Sequence, residues 1–227
     1  CSFCAIPIIR GRLRSRPIKD ICDEIKTFLK KGFYEFNLIG QDLAAYQTGK
    51  DDLSEDELHR ENCSGLALLL KSISEIKGNF KIRLLYIHPD HFPMDILPIM
   101  TADKRFLPYF DIPFQSGAQK IIRAMNRNGA AEVYLDTVKN IREAFEKAKS
   151  PYGEPQIRTT FLVGFPGETD EDFNETIKFL KELRPLWSGG FTYSREEDTP
   201  SYSFKGKVPK KTAESRLAEI QNTQTSI

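Results

Sequence analysis

The feature that most constrains the fold is a repeated change of hydrophobic period. Five short apolar runs read as strands: EFNLIG (35–40), KIRLLYIHP (81–89), YFDIP (109–113), QIRTTFLVG (156–164) and GGFTYS (189–194). Segments with helical spacing lie between them. Ile18, Ile21, Ile25, Phe28 and Leu29 fall on one helical face, with Pro17 suited to the first turn and Gly32 to the C-terminal cap. Ser64 can cap a helix carrying Leu66, Leu69, Leu70 and Ile73; PMDILPIM reads as a short helical piece interrupted by Pro98; and AQKIIRAMN reads as a further helix. Tyr134, Val138, Ile141 and Phe145 mark a longer one. Thr169 can cap TDEDFNETIKFLKEL, whose Asp170, Glu171 and Asp172 favour the positive end of the helix, and a polar helix begins at Lys210. Such alternation predicts an α/β fold of parallel strands joined by crossover helices. Five strands are few for a closed eight-stranded barrel, so a partial barrel is expected.

Composition narrows the class. At 227 residues and 40% hydrophobic, the chain suits one large domain or two small ones with a real core. Lys+Arg 33 against Asp+Glu 32 leaves a net charge of +1, which lacks the basic excess of a duplex-binding segment. The four cysteines, Cys1, Cys4, Cys22 and Cys63, are too sparse for a disulfide scaffold, and no apolar run spans a bilayer. A soluble protein in a reducing, intracellular setting is expected. A start on Cys-Ser-Phe-Cys, without Met, reads as a fragment or a processed chain.

In parallel α/β folds, ligands sit at the carboxyl ends of the strands. Four such ends are polar here: Gln41 and Asp42; His88, Asp90 and His91; Gln115 and Ser116; and VGFPGETDED. Together they predict a shared site facing the cysteine loop. VGFPGE is either a tight turn into a helix or a place where Gly164 and Gly167 let a ligand approach the backbone. Ser116 is either a helix cap or a ligand contact. His88 and His91, with only His59 besides, lack the further ligands of a zinc site. Cys22 reads as core, and Cys63 carries no assignment. Arg10, Arg12, Arg14 and Arg16 share one face if their stretch is extended, either as a solvated loop or as an anion contact. A polar loop is expected from Gln41 to about Asn62. Cys1 and Cys4 form a C-x-x-C pair that fits a redox couple, half a zinc site or part of an iron–sulfur site.

CSFCAIP with RGRLRSR, then IGQD, RLLYIHPDH, YFDIPFQSG, MNR, RTTFLVGFPGETDEDF and FTYSREEDTP, occur in that order. Together they resemble the radical S-adenosylmethionine (SAM) methylthiotransferases over nearly the whole chain. The resemblance implies a partial (β/α)6 TIM-like radical SAM barrel whose first strand lies outside this sequence. Residues 1–204 would form the catalytic core, and 205–227 a helix and linker toward a TRAM-like β-barrel domain. The family's C-x-x-x-C-x-x-C motif places Cys1 and Cys4 as its second and third cysteines, with the first expected four residues before Cys1. The three thiolates would hold a 4Fe–4S cluster whose remaining iron SAM chelates. One electron then cleaves SAM, and the resulting 5′-deoxyadenosyl radical removes hydrogen from an unactivated carbon. A second 4Fe–4S cluster, in a domain upstream, would carry the sulfur.

RLLYIHPDH and YFDIPFQ look most like the subgroup that modifies an aspartate of small-subunit ribosomal protein twelve. Ser116 departs from it toward the subgroup that modifies tRNA adenosine. A non-catalytic binding module and a thiol redox protein are the remaining readings. The resemblance further implies a flavodoxin- or ferredoxin-type electron donor, a monomer, no membrane association and a cytoplasmic location. By the same resemblance, Phe3 packs near the adenine and Gln41 and Asp42 meet the methionine end of SAM. Gln115, Ser116, Arg158 and Thr160 hold its ribose or carboxylate, and Val163, Gly164 and Gly167 border the adenine.

Overall fold

The computed structural model describes residues 1–47 and 63–227. Most of the expected polar loop and His59 therefore lie outside the described residues. The chain divides into two compact units. No helix among the described residues is long and apolar enough to cross a membrane.

One unit comprises Arg12–Asp111 and Asn140–Gln156. It opens with α2 (Ile18–Lys30), which buries Cys22 and Ile25, so Cys22 is a core residue as expected. Three strands follow, β1 (Glu35–Ile39), β2 (Lys81–Leu85) and β3 (Phe106–Asp111), side by side in chain order and parallel. Between them run α3 (Gly65–Ser74) and α4 (Ile96–Ala102). The Ser64 hydroxyl accepts from the Ala67 amide, as an N-cap should. Two boundaries depart from the sequence reading, both at prolines. α4 continues through Pro98, which occupies its third position, where an amide has no intrahelical partner to lose. β3 begins three residues before Tyr109 and contains Pro108. Its register against β2 shifts between Ile82↔Phe106 and Leu84↔Phe110, an irregularity that accommodates a residue unable to donate to the ladder.

The other unit comprises Cys1–Gly11, Ile112–Lys139 and Ile157–Ile227. Here β4 (Gln156–Val163) pairs parallel with β5 (Trp187–Thr192), from Arg158↔Trp187 to Val163↔Thr192. α5 (Gln119–Ala124) precedes β4, α7 (Asp170–Leu183) joins β4 to β5, and α8 (Lys210–Thr225) closes the chain. α6 (Ala131–Lys147), whose residues from Asn140 onward are counted with the first unit, is the longest helix among the described residues. β4 alternates cleanly: Ile157, Thr159 and Phe161 are buried on one face, and Arg158 and Thr160 are half-buried on the other. The buried face meets an aromatic core in which Phe179 of α7 touches Phe161, Phe114 and Tyr134 at ring-centroid distances of 6.2, 5.4 and 6.4 Å. α7 begins at the Thr169 cap that its sequence predicted, which the structure extends to a full capping box with Asp172.

A short helix that the sequence did not announce, α1 (Ile6–Arg10), follows the cysteines. Arg10 therefore lies in a helix, and the four alternating arginines do not form one extended face.

Candidate functional site

The cysteine loop is bolted down by the residue between the thiols. Ser2 is 4% exposed. Its amide donates to the Met125 carbonyl (2.8 Å) and its hydroxyl to the Ala124 carbonyl (2.7 Å) at the end of α5. Its own carbonyl accepts from the Ser201 amide (3.0 Å). The flanking Cys1 is exposed, Cys4 half-buried, and neither is in a disulfide. Phe3 packs on a cluster of Ala118, Ile121, Met125, Leu162 and Phe165, its ring edge-on to Phe165 at 6.5 Å. Phe165 also meets Tyr193 (5.3 Å) and Phe204 (6.1 Å), so one buried ring ties the cysteine loop to the segment after β4 and to the segment after β5.

That segment after β4, Gly164–Glu168, is shaped by charge as much as by glycine. Gly164 and Gly167 have φ of 75° and 82°, the left-handed region that glycine adopts at no steric cost. Glu168 folds back so that its carboxylate accepts from the Gly164 amide at 2.7 Å. The same oxygen accepts from the Arg216 guanidinium of α8 at 2.6 Å, with side chains only 2% and 7% exposed. Burial pushes the Glu168 carboxyl above its ordinary range, against the pull of the Gly164 amide and Arg216. Arg216 also pairs with Asp170 at 2.6 Å. Lys120 donates to the Gly167 carbonyl (2.8 Å) and to Asp172 (2.7 Å). A Cβ on Gly167 would meet nothing within 4 Å, whereas one on Gly164 would lie 2.7 Å from Ala213 Cβ. Only Gly167 is open to an approaching ligand; the space beside Gly164 belongs to α8.

Gln115 is held in a strained pose. Its φ is 71°, rare for a residue with a Cβ, and its backbone bridges β4 by donating to Thr160 O and accepting from Leu162 N, both at 2.8 Å. The buried Arg127 (4% exposed) fixes the approach by donating to the Pro113 carbonyl at 2.6 Å. Ser116 turns the other way. It is 1% exposed, shares a hydrogen bond with Thr176 of α7 (3.1 Å), and accepts from the Ala118 amide (3.1 Å). The Ser116 hydroxyl docks the strand end on α7, the capping-type role of the two its sequence allowed. Arg158 lies near the amino end of β4, with its guanidinium 4.8 Å from the Trp187 ring centre. Thr160 shares its face, closer to the carboxyl end.

In the other unit, Gln41 is exposed just past β1. Asp42 beside it is committed within the protein. One oxygen accepts from the Ala44 (2.9 Å) and His88 (3.1 Å) amides, and the other meets His91 Nε2 at 2.6 Å. Burial pushes the Asp42 carboxyl up, but the His91 hydrogen bond and charge, with the His88 amide, hold it below its ordinary range. His88 and His91 stack at 4.8 Å. The HPDH turn thus serves as a clip for the loop after β1. Asp42 anchors the backbone next to Gln41, with both carboxylate oxygens already bonded.

The donor set fits an iron–sulfur cluster in part. The exposed Cys1 and half-buried Cys4 bracket Ser2, which is held by two backbone bonds and one hydroxyl bond, so the thiols sit on a fixed loop as thiolate ligation needs. No group of three or more His, Cys, Asp or Glu side chains suited to a metal gathers among the described residues. Cys22 is buried, which pushes its thiol up and away from ligation.

Parallel strands alternating with helices, with a glycine turn at the end of β4, define an α/β protein of the partial-barrel class. The profile of the Radical SAM superfamily matches residues 1–180, and the chain belongs to that superfamily. It is 96% identical over all 227 residues to the ribosomal protein uS12 methylthiotransferase RimO of Treponema denticola, covering 49% of that protein. It is 40% identical over its whole length to the Thermosipho melanesiensis protein of the same name, again 49% of it. The chain spans about half the length of the curated relatives it matches. Among solved structures, Streptococcus suis SuiB bound to S-adenosylmethionine aligns with the whole chain and 44% of its own at TM-score 0.59 and 14% identity. Escherichia coli coproporphyrinogen III oxidase HemN aligns with 77% of the chain and 37% of its own at TM-score 0.55 and 20% identity. At these identities the structures speak for the fold alone.

Three features escaped the sequence reading: Ser2, Arg127 and the Glu168–Arg216 pair. Ser2 is the unremarked middle of CSFC. Glu168 and Arg216 are separated by 48 positions, and nothing in a polar helix singles out one arginine.

Proposed function

We propose that this chain is the catalytic core of a radical SAM methylthiotransferase that modifies an aspartate β-carbon in ribosomal protein uS12. The observation that carries this reading is the 96% identity, over all 227 residues, to a protein named as a uS12 methylthiotransferase; the aspartate β-carbon follows from the family resemblance. Cys1 and Cys4 supply two of the thiolates for a 4Fe–4S cluster, and a third donor comes from the longer protein. When bound, the cluster and SAM supply the radical chemistry of the superfamily.

The chain's own residues bind and orient. Phe3 and Phe165 wall the cysteine loop with aromatic surface that excludes water. Gln115, fixed by strain and by Arg127, presents its amide toward the SAM ribose or carboxylate, with Thr160 on the adjoining strand. The backbone from Val163 to Gly167 borders the adenine, with Gly167 as the point of closest approach. Within the other unit, Asp42 clips the loop that carries Gln41. A second cluster, a flavodoxin- or ferredoxin-type donor, a cytoplasmic location and a monomeric state complete the reading.

The tRNA alternative rests on the motif likeness at Ser116, whereas the relatives at 96% and 40% identity both carry the uS12 name and favour that substrate. The test is anaerobic reconstitution of the full-length protein, with uS12 and tRNA supplied separately. The expected result is an iron–sulfur absorbance, and a mass increase on uS12 alone. Cys1→Ala or Cys4→Ala should abolish SAM cleavage; undiminished cleavage overturns the cluster assignment, and methylthiolated tRNA with unmodified uS12 overturns the substrate.

A further inference from the structure

The C-terminal helix reads, in sequence, as a polar connector with little face of its own. The structure gives it a different task. Arg216 is one of only two buried arginines among the described residues, and its partner Glu168 is the residue that holds the Gly164 amide. A chain of two hydrogen bonds, 2.6 and 2.7 Å, therefore runs from α8 through one carboxylate oxygen to the backbone at the end of β4. Two further contacts bear on the same few residues. Ala213 of α8 fills the space beside the bare Cα of Gly164, and the Gly206 carbonyl, just before α8, accepts from the Gly167 amide at 2.8 Å. Arg216 also donates to the Glu168 main-chain carbonyl and spans to Asp170, at the start of α7.

We propose that α8 is a working part of the SAM site and that Arg216 is a positioning residue, acting through Glu168 to set the backbone of Gly164–Gly167 against the adenine. The inference rests on the reading that this stretch borders SAM. Gly164 lies just past the last paired residue of β4, and a buried carboxylate is what captures its amide. A buried carboxylate needs a buried cation, because an isolated charge in that setting carries a large desolvation penalty. No residue of the loop itself is cationic, so the charge has to be brought from elsewhere, and α8 brings it. Lys120 holds the opposite side of the loop at the Gly167 carbonyl, and its ammonium is more than half exposed. The buried clamp is Arg216.

The consequence is a separation of effects. Loosening the clamp should weaken SAM binding while leaving the cysteine loop, anchored independently by Ser2, able to take up iron. The test uses the full-length, cluster-loaded protein with three variants. Arg216→Gln removes the cation. Arg216→Lys restores charge but not the two-pronged geometry. Ala213→Val keeps all charges and presses α8 away from Gly164. The readouts are SAM affinity by equilibrium dialysis, cluster absorbance, and hydrogen–deuterium exchange of the peptide covering 163–169.

The expected result is roughly ten- to hundredfold weaker SAM binding for Arg216→Gln, the scale of losing one hydrogen bond to a charged group. Partial recovery is expected in Arg216→Lys, and a smaller loss in Ala213→Val. Exchange in 163–169 should be faster in all three, and iron content unchanged. SAM affinity within twofold of the parent in both Arg216→Gln and Ala213→Val, with the cluster intact, overturns the proposal. Should Arg216→Gln fail to fold, Ala213→Val decides alone. Gly167→Ala separates the two levels. If it weakens SAM binding and the α8 variants do not, the positioning role is wrong and the loop placement stands. If it too has no effect, the loop placement itself is wrong.

Discussion

Ser2→Ala is the sharpest probe of how the cysteine loop is held. The substitution removes one oxygen and changes almost no volume. What is lost is the hydroxyl bond to the Ala124 carbonyl, 2.7 Å long and 4% exposed on the serine side. Deleting one partner of such a bond leaves a carbonyl without its donor, which costs about 1–3 kcal/mol. The backbone bonds of Ser2 to Met125 and Ser201 survive, so the loop should loosen without unfolding. In exchange terms, about 1–3 kcal/mol is roughly a 5- to 150-fold faster opening, at about 1.4 kcal/mol per decade. The assay is hydrogen–deuterium exchange on the full-length protein, followed at the amides of Ser2 and Ser201, both of which report the anchored geometry. Ser203→Ala is the control. Its hydroxyl also bonds a carbonyl, Pro200 at 3.2 Å, but in the open, where the change should be within about 0.5 kcal/mol. Less than a twofold change at both amides in Ser2→Ala would refute the anchoring role.

Asp42 is expected to make stability fall in acid. Its folded pKa lies below the ordinary 3.8, so its contribution is complete above that value and is lost as pH falls through the depressed one. Asp42→Asn should therefore lower stability at neutral pH and flatten the loss as pH falls below the ordinary carboxylate range, read from denaturant midpoints across pH. Thr169→Ala removes half of the capping box of α7 and should cost about 0.5–2 kcal/mol, visible as a lower unfolding temperature. Gly117→Ala tests packing without conformational strain. A Cβ there would lie 2.4 Å from Phe179 Cβ, and the overpacking should cost about 1–3 kcal/mol by the same measurement. An unchanged midpoint would mean that α7 can shift away from the QSG turn.

The sequence by itself determined the order and kind of the main elements. Period-2 and period-3.6 patterns are local, so β4, with its alternating burial, and α7, with its Thr169 cap, could be read directly. Prolines misled where their cost depends on position. Pro98 falls in a first turn, where it breaks no hydrogen bond, and Pro108 sits at a register shift. Cys1 and Cys4 stood out in the sequence because a thiol pair at short spacing has few uses, and the ordered set of motifs pointed to one of them.

Tertiary structure decided which polar side chains near the strand ends are spent holding the fold and which remain to meet a ligand. Ser116 and Gln115 are adjacent and equally polar, yet one is buried on Thr176 while the other is held in a left-handed pose at the bridge to β4. Asp42 stands beside Gln41, and only the fold brings His91 to its carboxylate. Glu168 reads as one more acid in an acidic run until Arg216 reaches it from α8. The physical reason is common to all three. Hydrogen bonds and buried charges are satisfied by whatever the chain brings near, across tens of residues, and a one-dimensional pattern carries no record of that distance.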